Sequence, residues 1–166
     1  MENSNTLEIL KTAILLERRG KAFYTSVANQ AQDEDVKQFF MLMAKEEDDH
    51  IAFLTEQFAH YVETKEFKKR DLPKEEENAA EEILSAKMKD KISAASFEAS
   101  AIAAAIDFET RAVKVYSQRA ESATDPEEKK FYKWLAEWEM GHHQILHELD
   151  QQLKEKVWND NNFWPF

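Results

Sequence analysis

Residues 40–50 read FMLMAKEEDDH, and residues 132–142 read YKWLAEWEMGH. Each segment begins with an aromatic residue, has an alanine four residues later and ends in a Glu-x-x-His motif. These spacings place the aromatic ring, the glutamate and the histidine on one face of a helix. A single Glu-x-x-His motif is a weak signal in a chain with 33 acidic residues. The informative feature is therefore the match between the two segments.

The two segments belong to a longer internal repeat with a constant offset of 92 residues. Residues 13–56 align with residues 105–148 without a gap. Each copy has the pattern of a helix, a polar turn and a second helix with apolar residues at helical spacing. In the second copy, Asp125, Pro126 and Glu128 predict a helix start, as N-cap, first and third helical residues. Two copies predict a pseudo-twofold pair of helical hairpins rather than a solenoid.

The region between the copies, from Val62 to Ile92, is much longer than an ordinary connection between helices. Asp71-Leu72-Pro73 predicts the start of a short acidic helix there, ending near Lys89. A long crossover between hairpins is the connectivity of ferritin-like bundles. The chain also has only 2 Gly and 3 Pro in 166 residues. We therefore predict an all-α, ferritin-like four-helix bundle with a short extra helix in its crossover.

Within this fold we assign residues 1–157 to the bundle and residues 158–166 to an aromatic C-terminal tail. The net charge of −11 argues against nucleic acid as a partner, because nucleic acid requires a clustered basic surface. No apolar run approaches the ~18 residues of a membrane span. The first residues, Met1–Asn5, lack the features of a signal peptide, so we expect a cytoplasmic protein without a membrane partner.

The chain contains no cysteine. This excludes disulfides, thiolate zinc sites, a catalytic thiol and a rubredoxin-type iron centre within the chain. Any redox chemistry within it must use oxygen and nitrogen ligands.

The register of the repeat predicts where the acidic residues and histidines meet. Glu17 and Glu47 are equally far from the first turn, ~22 Å at the rise of a helix, and Glu109 and Glu139 flank the second turn in the same way. Each histidine follows its glutamate by three residues on the same helix face. Six groups should therefore converge in the middle of the bundle: Glu17, Glu47, His50, Glu109, Glu139 and His142.

Four carboxylates in an apolar core are costly unless they are protonated or bind cations. Two divalent ions would balance four carboxylates, and two imidazoles would complete the coordination. Mixed oxygen and nitrogen ligands suit Fe, Mn or Zn rather than Mg or Ca. A pair of redox-active metals can bind O2 or peroxide and share two electrons. In the run Glu46-Glu47-Asp48-Asp49, only Glu47 is expected to be a ligand, and its neighbours are expected to be solvated.

Tyr24 and Tyr116 follow Glu17 and Glu109 by two helical turns on the same face. A phenol at this position can donate a hydrogen bond to a ligand carboxylate of the opposite hairpin and orient it. The alternative is that both are core aromatics with a satisfied hydroxyl.

These residues resemble the rubrerythrin-like branch of the ferritin-like superfamily over residues 5–153. The motifs are Glu17-x-x-Gly20-x-x-Phe23-Tyr24 and Phe40-x-x-x-Ala44-x-x-Glu47-x-x-His50, with their counterparts at residues 109–116 and 132–142. The resemblance implies a non-haem di-iron site with Glu17 and Glu109 as terminal or bridging ligands. Glu47 and Glu139 would bridge the irons, with one imidazole for each iron. The chemistry of the family includes peroxide reduction and O2-dependent oxidation of ferrous iron.

Two departures separate the chain from rubrerythrins proper. They carry a further glutamate ligand where this chain has Ala112, and they usually carry a rubredoxin module, which needs cysteines. An external electron-transfer protein would therefore have to deliver electrons.

Three hypotheses follow. The first is a di-iron oxidoreductase of the peroxidase or oxidase type, acting on hydrogen peroxide or O2. The second is a non-catalytic metal-binding or metal-sensing protein that uses the same site with Fe, Mn or Zn. The third is a metal-free helical interaction module. The aromatic tail and the habits of similar proteins suggest a homodimer.

Overall fold

The computed structural model describes residues 2–73, 79–93 and 96–160. They form five helices: α1 (Glu2–Gln30), α2 (Glu34–Thr64), α3 (Ala79–Met88), α4 (Phe97–Ser122) and α5 (Pro126–Asp160). These ranges contain no β-strand, which confirms the predicted all-α, ferritin-like bundle. The described helices lack an apolar stretch of the length that a bilayer span needs.

The two hairpins turn at equivalent aspartates of the repeat. Asp33 precedes α2, and its Oδ1 accepts hydrogen bonds from the backbone N–H groups of Asp35 (2.9 Å) and Val36 (3.3 Å). Asp125 precedes α5 and accepts in the same way from Glu127 (2.8 Å) and Glu128 (3.4 Å). Each aspartate satisfies N–H groups that have no partner within the helix, so each aspartate fixes the start of the helix that follows it.

The crossover begins where α2 ends, at Lys65, which adopts the left-handed conformation with φ 63°. The expected helix start at 71–73 was wrong, because these residues are not helical and the described helix is Ala79–Met88. A residue that precedes proline is disfavoured in the helical conformation, which applies to Leu72. The carbonyl of Pro73 instead accepts a hydrogen bond from Trp134 Nε1 (2.9 Å), which ties the crossover to α5.

The described part of the C-terminus is helical. Helix α5 extends through Trp158 to Asp160, so the first residues that we assigned to the tail continue the helix. Residues 161–166, with the remaining aromatic residues of the tail, lie outside the described residues. The boundary at 157/158 stays a prediction.

The core is divided into two apolar clusters by a polar layer. One cluster includes Tyr24, Phe40, Ala105 and Leu146. The other includes Leu10, Leu54, Tyr116, Phe131 and Leu135. Along each long helix the predicted ligands fall between residues of one cluster and residues of the other. The polar layer is therefore enclosed by apolar packing at both ends.

Asp125 has a further partner, because its Oδ2 accepts a hydrogen bond from the backbone N–H of Phe67 in the crossover (3.3 Å). We expect Asp125→Ala to lower the free energy of unfolding by about 1–2 kcal/mol, since helix α5 loses its cap. Urea unfolding followed by circular dichroism measures this change. Glu121→Ala, at an exposed position near the same turn, is the control and should change stability by less than about 0.5 kcal/mol. Equal effects of the two substitutions would contradict the capping role.

Candidate metal centre

All four long helices contribute to one buried cluster of acidic residues and histidines. Helix α1 contributes one glutamate, α4 contributes another, and α2 and α5 each contribute a glutamate and a histidine. None of the six side chains is more than 1% exposed. The structure thus brings together all six residues that the sequence singled out: Glu17, Glu47, His50, Glu109, Glu139 and His142.

Within this cluster the donor atoms form two groups that share two residues. Glu47 and Glu139 belong to both groups, and in each group one atom per residue lies within 4.8 Å of the others. Glu17 and His50 complete one group. Glu109 and His142 complete the other. This geometry offers two adjacent positions for cations with a pair of carboxylates between them.

Both histidines direct Nδ1 toward the carboxylates. His50 Nδ1 lies 2.9 Å from Glu139 Oε1 and 3.3 Å from Glu17 Oε2. His142 Nδ1 lies 3.2 Å from Glu139 Oε2 and 3.9 Å from Glu109 Oε1. Nδ1 is therefore the atom that each imidazole would offer to a metal ion.

The two buried tyrosines connect the hairpins across the cluster. Tyr24 on α1 donates a hydrogen bond to Glu109 Oε1 on α4, and Tyr116 on α4 donates one to Glu17 Oε1 on α1. Each phenol thus contacts a carboxylate of the opposite hairpin, as the spacing predicted. Burial, together with the neighbouring carboxylates, raises the pKa of both phenols well above the usual value, so both remain protonated donors.

The electrostatics of the cluster reflect four acidic groups in one enclosed space. Burial raises the pKa of Glu47 well above its usual range, and the charge of Glu17 raises it further. Burial and the charge of Glu139 act in the same way on the pKa of Glu109. Without a cation, these shifts favour the protonated form of both carboxyls.

The pKa values of the two histidines and of Glu139 shift in the direction opposite to the one that burial alone would cause. Burial would lower the pKa of His50 and of His142, but contacts with Glu139 carry both pKa values well above the usual range. Burial would also raise the pKa of Glu139, but the charge of His50 and a hydrogen bond from His142 lower it overall. In the absence of metal, these shifts favour the positively charged forms of His50 and His142, which would balance the charge of Glu139.

Several buried carboxylate oxygens of the cluster accept no hydrogen bond from the described residues. Among the described residues, both carboxylate oxygens of Glu47 and Oε2 of Glu109 are buried without a hydrogen bond. Buried acceptors without partners are costly, and coordination of a metal ion would satisfy them. The donor set of four carboxylates and two imidazoles fits two metal ions of the Fe, Mn or Zn type.

Glu46 corrects the expectation that the neighbours of Glu47 are solvated. It is only 5% exposed, and its Oε2 is hydrogen-bonded to His142 Nε2. Trp138 Nε1 donates to the same oxygen at 3.2 Å. The sequence pattern did not single out Glu46, because it lies in a run of four acidic residues whose composition alone does not distinguish a buried glutamate from a solvated one. Its repeat partner, the buried Trp138, is the signal that could have drawn attention to it.

Gly20 and Ala112, which are equivalent in the repeat, place small residues three positions after Glu17 and Glu109. Both are buried. A Cβ atom at Gly20 would lie 2.8 Å from the ring of Phe108 and 3.1 Å from Glu47 Oε1. The absence of a side chain at Gly20 therefore allows Phe108 and Glu47 to approach helix α1.

A family model described as Rubrerythrin matches residues 8–150 of the chain. Among solved structures, the chain is similar to a hypothetical protein from Pyrococcus furiosus, with 23% sequence identity, 90% of each chain covered and a TM-score of 0.60. At this identity the similarity supports the fold alone. No curated protein matches the chain significantly.

We expect metal binding to release protons and to become tighter as the pH rises. The raised pKa values of Glu47, Glu109 and the two histidines mean that the metal-free site holds protons that a cation must displace. Protons compete with the metal at low pH, so the apparent affinity should rise with pH. Calorimetric titration with Zn²⁺ in two buffers of different ionisation enthalpy gives the number of protons released. A pH-independent affinity without proton release would contradict the assignment.

We expect Gly20→Ala to destabilise the protein, although alanine is the better helix former. The added methyl group would overlap the ring of Phe108, and overpacking of this kind costs about 1–3 kcal/mol. In a Phe108→Ala background, the same substitution should be neutral or stabilising. Chemical unfolding of the four proteins in this double-mutant cycle measures the coupling. Equal effects of Gly20→Ala in both backgrounds would show that Phe108 does not set the requirement for glycine.

Proposed function

Because the chain belongs to the rubrerythrin family, we propose that the buried cluster holds two iron ions and that the protein reduces peroxide or O2 with electrons from an external donor. The single observation that supports this proposal best is the pair of donor groups that share Glu47 and Glu139. Glu17 with His50 and Glu109 with His142 would complete the two iron positions. Manganese or zinc would fit the same donors and would support metal binding without this redox chemistry.

Two adjacent iron ions would supply the two electrons that reduction of peroxide to water consumes, and an external protein would replace them. The reduction also consumes two protons for each hydrogen peroxide. The cluster is buried between two apolar clusters, so the protein restricts the access of water to the reacting groups. The 166 residues contain no cysteine for a rubredoxin-type centre, so the electrons would have to come from outside this helical domain.

Tyr24 and Tyr116 would keep the carboxylates of Glu109 and Glu17 in place during this reaction. Each phenol holds one oxygen of Glu109 or Glu17, which leaves the other oxygen of that carboxylate for a metal ion. Their raised pKa values keep the hydroxyl protons in place near neutral pH. The phenols therefore orient ligands across the hairpin interface rather than adding negative charge to it.

The small residues at Gly20 and Ala112 bear on the proposed chemistry. In rubrerythrins proper, to which the sequence is similar, a further glutamate occupies the position of Ala112. The buried methyl group of Ala112 cannot act as a ligand. Each proposed metal position consequently has one carboxylate that it does not share, from Glu17 or from Glu109. The site therefore has one glutamate ligand fewer than the site of rubrerythrins proper.

The test is turnover by the full chain after anaerobic purification and loading with ferrous iron. We expect two irons per chain and reductant-dependent consumption of hydrogen peroxide or O2. Glu47→Gln removes a shared carboxylate charge and should abolish turnover and reduce the iron content. Asp48→Asn, a neighbouring change in an exposed ion pair with Lys21, is the matched control and should retain both.

The possible outcomes separate the three hypotheses. Iron bound at two per chain without turnover would favour a non-catalytic metal-binding or sensing protein. No metal bound after loading with Fe, Mn or Zn, with a stable Glu47→Gln variant, would favour a helical interaction module. Either result would reject the proposed oxidoreductase function.

A further inference from the structure

The Nε2 atoms of His50 and His142 have different surroundings. In both rings Nε2 is the nitrogen that does not face the carboxylates of the cluster. His142 Nε2 is hydrogen-bonded to Glu46 Oε2, and Trp138 Nε1 holds the same oxygen at 3.2 Å. His50 Nε2 has no hydrogen-bond partner in the described part of the chain. The ring of His50 instead meets Trp134 and Trp138 at near-perpendicular angles, with centroid distances of 5.8 and 5.4 Å.

The internal repeat locates the origin of this difference. Glu46 and Trp138 are equivalent positions, each directly before a shared glutamate of the cluster. Each side chain lies beside the histidine of the opposite hairpin. One histidine therefore faces a carboxylate where the other faces an indole. The six donors obey the pseudo-twofold symmetry, but their surroundings do not.

A carboxylate on the outer nitrogen of an imidazole changes how that imidazole binds metal. It accepts a hydrogen bond from Nε2–H, which leaves the Nδ1 lone pair directed at the cluster, and it fixes the ring orientation. It also increases the basicity of the ligating nitrogen. The indoles of Trp134 and Trp138 pack against the ring of His50, and no carboxylate of the described residues accepts a hydrogen bond from its Nε2.

On the basis of the proposed dimetal function, we infer that Glu46 is a positioning residue for His142 and that it makes the two metal positions unequal. The position that includes His142 and Glu109 binds its ion more tightly and fills first. The position that includes His50 and Glu17 fills second. Trp138 contributes by holding the Glu46 oxygen in place.

The experiment is an anaerobic titration of the metal-free full chain with Co²⁺, followed by visible absorption, which reports the ligands of each bound ion. The wild-type protein should bind two ions in two steps that differ at least about tenfold in affinity, the scale of an outer carboxylate partner. His142→Ala should remove the tighter step and His50→Ala the weaker one. This assigns each step to a position.

Glu46→Leu removes the hydrogen-bond acceptor with little change in size. It should weaken the tighter step by about 10–100-fold and shift the absorption of that ion, while the weaker step keeps its affinity. Glu46→Gln keeps an acceptor and should recover part of the affinity, and it replaces Glu46→Leu if that variant does not fold. Asp49→Asn, an exposed change of the same charge on the same helix, should leave both steps unchanged. Thermal unfolding of the metal-free variants checks that they retain the fold.

The outcomes distinguish this inference from the function on which it rests. If the wild-type protein binds two ions with equal affinity, or if Glu46→Leu and Glu46→Gln weaken both steps equally, the positioning role is overturned and the dimetal site stands. Equal weakening would mean that the charge of Glu46 acts on the cluster as a whole. If the wild-type protein binds no Co²⁺, the dimetal site and the inference both fail.

Discussion

The burial of four carboxylates and two imidazoles in a single layer constrains the helices that surround it. These groups cannot be removed from water at low cost unless protons, imidazolium groups or metal ions compensate their charge. In the metal-free protein the compensation is internal, because burial raises the pKa of Glu47 and of Glu109, which favours their neutral forms, and the histidines lie beside Glu139. The apolar clusters at both ends of the layer exclude solvent and so maintain this requirement. A dimetal site is the arrangement that would satisfy the same groups through coordination.

The sequence was sufficient for the arrangement of the helices and for the convergence of the six donors. Helical periodicity and the distance from each turn are local properties, so the level of Glu17 and Glu47 in the bundle follows from counting residues. The cap at Asp125 follows from the chemistry of helix N-termini in the same way. Whether the six donors bind metal stays a prediction, since the structure gives their geometry alone.

The parts that could not be predicted depend on contacts between the hairpins or on irregular backbone. The partnership of Glu46 with His142 joins α2 to α5, and the spacing within either helix does not specify it. The crossover is similar, because Gln57 binds both the N–H and the carbonyl of Lys68, and Trp134 binds the carbonyl of Pro73. Side chains of the bundle hold the backbone of Lys68 and Pro73 in place, and the Asp-Leu-Pro signal at 71–73 does not encode those contacts.

The crossover has a consequence for how the two halves of the site can change over time. In a site built from two separate, identical hairpins, any inherited substitution would appear on both sides at once. Joining the two copies in one chain allows each copy to acquire its own substitutions, as the pair Glu46 and Trp138 shows. The six donors follow the symmetry of the repeat, whereas Glu46 and Trp138 behind them differ. Covalent linkage of the hairpins is thus what allows one chain to place different side chains around two otherwise equivalent halves of a site.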